Sequence, residues 1–151
     1  MEIESADRSD ETDTREFLEA YRDVMDSMGR GRPLSPMALV DQWRSFVQWC
    51  EEGYGQDIYE YENDLSVRET VERVLRSERL QRFDQMVWVR EQVAEADERF
   101  RRLLSDEKVR SQGPWWKVRL PRIAGAVLAA DVRDNYNVDI PLPGEDTATD
   151  E

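Results

Sequence analysis

A chain of 151 residues is the length of one domain, and 39% hydrophobic residues, with five Trp, five Tyr and four Phe, suffice for one core beneath a heavily charged surface. There is no histidine and a single cysteine, which excludes His-based nucleophile pairs, His-ligated metal sites and an internal disulfide. The formal net charge of −13 favours a basic partner and disfavours a polyanion.

That charge is unevenly spread. Residues 1–14 carry six acids and one Arg, and residues 144–151 four acids, so the two ends hold −9 of the total. Between them, residues 15–64 have eleven acids against five bases, and residues 65–143 thirteen against fifteen. An acidic front half lying against a mildly basic back half accounts for the split internally. The longest uncharged apolar run, Ile123 to Ala130, falls far short of the ~20 residues that span a bilayer. The acidic start is also the reverse of a signal peptide's, so a soluble, cytoplasmic protein is expected. Usage of 19 Arg against two Lys suits a GC-rich bacterial genome.

Along the chain, residues 1–12 read as a disordered acidic tail, 13–143 as one helical domain and 144–151 as a second acidic tail. The first helix is expected from Asp13, with Glu16 completing a capping box. Its stripe is Phe17, Leu18, Tyr21, Val24, Met25 and Met28, and Gly29 is its stop. Ser35 and Pro36 mark the start of a second helix with Leu39, Val40, Trp43, Phe46, Val47 and Cys50 inward, ended by Gly53. The two should form an antiparallel hairpin.

Residues 53–64 interleave Tyr54, Tyr59 and Tyr61 with Asp57, Glu60, Glu62 and Asp64. Rigid aromatic area beside carboxylates suits recognition of a basic protein. Ser66 and Glu69 read as a further capping box, opening a helix with Val67, Val71, Val74 and Leu75 inward. From Leu80 a seam of Phe83, Met86, Val89, Val93, Ala96, Phe100 and Leu103 predicts a helix of about 25 residues. The part from Met86 to Leu103 could also serve as a homo-oligomer interface.

Lys108 to Arg122 then breaks the helical pattern. It gathers Lys108, Arg110, Lys117, Arg119 and Arg122 around Trp115 and Trp116, between Pro114 and Pro121, without one acid. Such a patch can bind phosphate or nucleic acid, but the acidity of the whole chain weighs against that. The favoured role is a plug, with at least one indole buried and the bases facing the acidic front half. A last helix is expected from Pro121, with Ile123, Ala124, Val127, Leu128, Val132 and Tyr136 on its apolar side, followed by an extended piece at Val138 and Ile140. No strand pair is predicted. The fold class is all-α, a bundle of about five helices.

For chemistry, Glu69 with Glu72 and Asp131 with Asp134 stand at i,i+3 spacing, the arrangement with which helical bundles hold Mg²⁺. In a chain with 34 acids such pairs arise readily by chance, and no cofactor motif is present, so no cofactor is expected. The favoured function is a non-catalytic protein-interaction module of the inhibitor or immunity type, binding a basic protein through Tyr54, Asp57, Tyr59, Glu60 and Tyr61. A Mg²⁺-dependent hydrolase using the four carboxylates, and phosphate or nucleic-acid binding at 108–122, are the alternatives.

Overall fold

The computed structural model describes residues 2–29 and 34–144, with side chains from Thr12 onward. Helix α1 (Glu2–Ser27) is followed by α2 (Pro36–Glu52), α3 (Ile58–Leu65), α4 (Val67–Arg76), a 3₁₀ turn (Glu78–Leu80) and α5 (Gln85–Leu103). Strand β1 (Leu104–Lys108), a single turn α6 (Trp115–Val118), strand β2 (Arg119–Pro121) and α7 (Ala126–Tyr136) complete the order. The domain is helical, as expected. No helix among the described residues is long and apolar enough to cross a membrane.

Helix α2 is the central element. Ser35 caps it, its hydroxyl accepting from the Ala38 N–H at 3.1 Å, with Pro36 in the first turn. All six residues of its predicted stripe are buried. It packs most extensively on α5, where Trp43 meets Phe100 edge-on at 5.3 Å and Phe46 meets the same ring at 5.8 Å. The α5 seam from Met86 to Phe100 is therefore buried inside the core. Gly53, at φ 100°, ends α2 in a conformation that favours glycine, and Pro143 packs so closely on it that a Cβ would clash.

The hairpin expected of α1 and α2 gives way to a different packing. Helix α1 lies mainly against the 3₁₀ turn and α4. Phe17 meets Phe83 edge-on at 5.4 Å, and Asp23 pairs with Arg79 at 2.8 Å. The helix also continues upstream of Asp13 to Glu2, so Asp13 is no cap. No Gly or Pro occurs before Gly29, and Glu, Ala and Arg are good helix formers. Residues 145–151, the rest of the expected C-terminal tail, lie outside the described residues.

Three further boundaries differ from expectation. The seam helix begins at Gln85, not Leu80, because Leu80 is buried from a 3₁₀ turn and Phe83 from the stretch just after it, three residues apart as on a helix. Gln81 stabilises that turn by donating to the Leu75 and Ser77 carbonyls at 2.7 and 2.8 Å. Ser66 is helical at φ −61°, ψ −17° and donates to the Asn63 carbonyl, so it joins α3 to α4 rather than capping α4. The last helix starts at Ala126, since Pro121 belongs to β2, and Val127 is exposed where Leu128 and Val132 are buried.

The strand pair, like α3 and α6, has no counterpart in the sequence reading. β1 and β2 are antiparallel, Leu104 facing Pro121 and Lys108 facing Arg119, with an irregularity between. The loop between them is drawn in by Val109 N–H donating to the Val118 carbonyl at 2.8 Å. LSDEK offers no apolar alternation, so the pairing rests on backbone hydrogen bonds that periodicity does not register.

Four ion pairs join acids of 15–64 to arginines of 65–143 among the described residues: Glu16–Arg82, Asp23–Arg79, Glu51–Arg99 and Glu62–Arg110. The polarised charge of the sequence is thus partly consumed within the fold. Exposed pairs of this kind contribute little each, about 0–1 kcal/mol.

Candidate functional site

The β1–β2 hairpin delivers Trp115 and Trp116 onto the bundle. Gly113, at φ 122°, makes the bend before Pro114, and the Lys117 N–H closes the α6 turn on the Pro114 carbonyl at 2.9 Å. Trp116 is buried and Trp115 half-buried, their rings perpendicular at 5.7 Å. This meets the expectation that one indole fastens the stretch to the core.

Beneath them lies a charged group that sequence reasoning missed. Arg68 of α4 is 3% exposed and Asp97 of α5 6%. Arg68 Nε donates to Asp97 Oδ1 at 2.8 Å and Nη2 to Oδ2 at 2.7 Å, a two-pronged pair. Trp43 Nε1 of α2 donates to the same Oδ1 at 3.0 Å, and Arg68 Nη1 reaches Glu72 at 2.9 Å. The guanidinium lies 4.5 Å from the Trp116 ring centre, 5.8 Å from Trp115 and 5.9 Å from Trp43. Burial alone would lower the Arg68 pKa. Hydrogen bonds and charge from Asp97, then Glu72, outweigh it and hold the group above its ordinary value. The same balance holds Glu72 below the usual carboxylate range, since Arg68 and Arg76 outweigh its partial desolvation.

One signal for this pair was available. Asp97 stands one helical turn after Val93, on the buried side of α5, and a carboxylate in that register requires a buried cation. Its partner could not be chosen among 19 arginines without the fold.

The expected partner-binding residues divide. Tyr54 and Tyr61 are 2% exposed and belong to the core, edge-on to each other and tilted against Phe46, which removes them from any docking face. Tyr54 donates to Asp64 at 2.6 Å, and burial, then that bond, pushes its phenol above the ordinary range. Asp57 caps α3 by accepting the Glu60 N–H at 2.8 Å. Tyr59 is 76% exposed, and Glu60 is exposed beside it.

The basic residues are largely engaged. Arg110 pairs with Glu62 at 2.9 Å and Lys117 with Glu69. Arg119 donates to the Ser105 and Asp106 carbonyls, Arg122 to the Arg102 carbonyl, and Lys108 is exposed. Of the five, only Arg110 pairs with an acid of the front half; Arg110, Lys117 and Arg119 line one pocket together with Glu62, and the buried Trp116 cannot stack on a base.

The four carboxylates of the metal reading take separate partners. Glu69 is paired with Lys117, Glu72 with Arg68 and Arg76, Asp131 accepts the Ile58 N–H at 3.0 Å, and Asp134 is exposed. Among the described residues no group of three or more Asp, Glu, Cys or His side chains is arranged to hold a metal ion. Cys50 is fully buried, and burial pushes its thiol well above the ordinary value, the reverse of an activated nucleophile.

Fold and site together describe a helical domain whose most elaborate charged network is a joint between helices. Compared with protein families, curated proteins and solved structures, the chain matches none.

Proposed function

We propose that this chain is a non-catalytic protein-interaction module, of the inhibitor or immunity type, that acts in the cytoplasm and binds a basic protein through an acidic face centred on Tyr59. The observation that carries the reading is the 76% exposure of the Tyr59 ring within residues 45–67, which hold six acids and no Lys or Arg. A tyrosine held out in water from the first turn of a helix presents rigid contact area at low entropic cost. Glu52 and Glu60 make no ion pair among the described residues, so their charge is available to steer a cationic surface toward it. Tyr61, on the buried side of α3, meets Tyr54 edge-on and fixes the position of that helix.

The test is capture from a bacterial extract on immobilised full-length chain, followed by identification and purification of what binds. The expected partner is basic, and its affinity falls with added salt. Replacing Tyr59 by Ala should weaken binding by about thirtyfold, some 2 kcal/mol, while leaving the melting temperature unchanged. A partner indifferent both to salt and to Tyr59→Ala would remove this reading.

A further inference from the structure

Three side-chain polar atoms among the described residues are both fully enclosed and without a hydrogen-bond partner: Tyr61 Oη, Gln85 Oε1 and Trp116 Nε1. The Thr70 hydroxyl of α4 makes no side-chain hydrogen bond among the described residues either, yet it is not one of those three, so it keeps accessible surface. Thr70 is only 4% exposed and lines a cavity of about 240 Å³, so that surface opens into the cavity. The cavity lies between the C-terminal end of α1, the first half of α2 and the junction of α3 with α4.

The lining has an apolar wall and one charged group. Met25, Met28, Leu39 and Val67 belong to the wall, and the two flexible thioethers can adapt to the shape of a ligand. Asp64 is the charged group, and no Lys or Arg lines the cavity among the described residues. Asp64 is half-buried, and its Oδ2 accepts from the Tyr54 hydroxyl at 2.6 Å. Its Oδ1 has no partner among the described residues and, like the Thr70 hydroxyl, keeps accessible surface. A carboxylate oxygen can only accept. What the cavity lacks is a donor carrying positive charge on an apolar body.

We infer that this cavity is a binding site for an alkylammonium group, held by Asp64 and Thr70 at its charged head and by Met25 and Met28 along its chain. The ammonium–carboxylate bond is of the charge-assisted kind, the stronger class of hydrogen bond. The volume equals about eight waters at roughly 30 Å³ each, room for a chain of about four to six carbons and for no nucleotide. Such a group comes as a free amine or as the end of a lysine side chain. The inference is independent of the Tyr59 face, since Tyr59 lies outside the cavity lining.

The experiment follows the methyl resonances of the full chain ¹³C-labelled at its five methionines, with Met25→Leu and Met28→Leu assigning the relevant two. Hexylamine, hexanol and sodium hexanoate are titrated separately at neutral pH and fixed ionic strength. The expected result is a saturable shift of the Met25 and Met28 signals at millimolar hexylamine, while Met37 and Met86, outside the lining, stay unmoved. Hexanol should bind about tenfold more weakly, and hexanoate not at all. Nα-acetyl-lysine methylamide tells the sources apart, since tighter binding than hexylamine points to a lysine side chain and weaker binding to a free amine. Asp64→Asn should weaken hexylamine about tenfold and leave hexanol unchanged. Thr70→Val should weaken hexylamine about fivefold, and Tyr59→Ala should leave its binding unchanged. No saturable shift with hexylamine overturns the inference, as does hexanol or hexanoate binding equally tightly. So does a hexylamine response unaltered by Thr70→Val, a variant that keeps the side chain's size whether or not Asp64→Asn folds.

Discussion

Replacing Asp97 by Ala tests whether the Arg68 joint holds the helices together. The substitution leaves a guanidinium that is 3% exposed with Glu72 as its one remaining carboxylate, and takes away both of its Asp97 bonds, at 2.8 and 2.7 Å, together with the acceptor of Trp43 Nε1. Breaking a buried pair from one side costs about 3–5 kcal/mol, because the remaining charge stays in a low-dielectric setting. For a chain of 151 residues each kcal/mol lowers the melting temperature by about 2–4 °C, so a fall of roughly 6–20 °C is expected. Removing both charges separates the worth of the pair from the penalty of an orphan. Arg68→Met with Asp97→Leu keeps similar volume, leaves only the Trp43 N–H without its acceptor, and should recover about 2 kcal/mol or more relative to Asp97→Ala. Urea unfolding followed by tryptophan emission and far-UV circular dichroism supplies both values. A loss below about 1 kcal/mol in the single variant, or a double variant no more stable than the single, would refute the reasoning.

Other expectations follow from separate features. Glu72 has a folded-state pKa below its ordinary value of 4.5, so it contributes stability above that pH that is lost as pH falls through the depressed value. Acid titration of unfolding should accordingly be shallower below about pH 4.5 in Glu72→Gln than in the parent. In Gly125→Ala the new Cβ would meet the Tyr54 carbonyl oxygen at 2.7 Å, across the bond that Gly125 N–H makes to that oxygen at 2.9 Å; denaturation should show a loss of about 1–3 kcal/mol. Tyr61→Phe removes an unpaired buried hydroxyl and should be neutral or stabilising by up to about 1 kcal/mol in urea unfolding. Cys50, fully buried with its thiol pKa raised, should resist a chromogenic disulfide reagent in native buffer at pH 8 and react once urea is added.

The legible parts of this fold were those written in side-chain period and caps. Ser35, Pro36 and Gly53 bounded α2 correctly, and its six stripe residues are buried, because a single helix packed on one side declares itself at 3.6-residue spacing. Leu80 and Phe83 show the limit: they are core residues at the expected spacing, yet they sit in and beside a 3₁₀ turn, since three-residue spacing serves both helices. β1 escaped notice because LSDEK is a polar strand joined to its partner through main-chain groups. At the candidate site, the place of Trp115 and Trp116 between two prolines predicts that one of them is buried, and Trp116 is. Tyr54 and Tyr61 were assigned to the surface on account of their acidic neighbours, but alternate acids mark only one side of α3, and its other side faces Phe46. The Arg68–Asp97 pair spans 29 residues and Trp43–Asp97 spans 54, separations that local pattern cannot bridge.

The clustering of indoles around Arg68 also gives the molecule a built-in optical gauge. Three of its five tryptophans, Trp43, Trp115 and Trp116, surround that one guanidinium, while Trp49 and Trp88 are substantially exposed. Near-ultraviolet dichroism, which registers indoles held in fixed asymmetric surroundings, will therefore report chiefly on whether the hairpin is seated. A condition that erases that signal while leaving helical dichroism intact would reveal the hairpin lifting away as its own unit, ahead of the helices it closes.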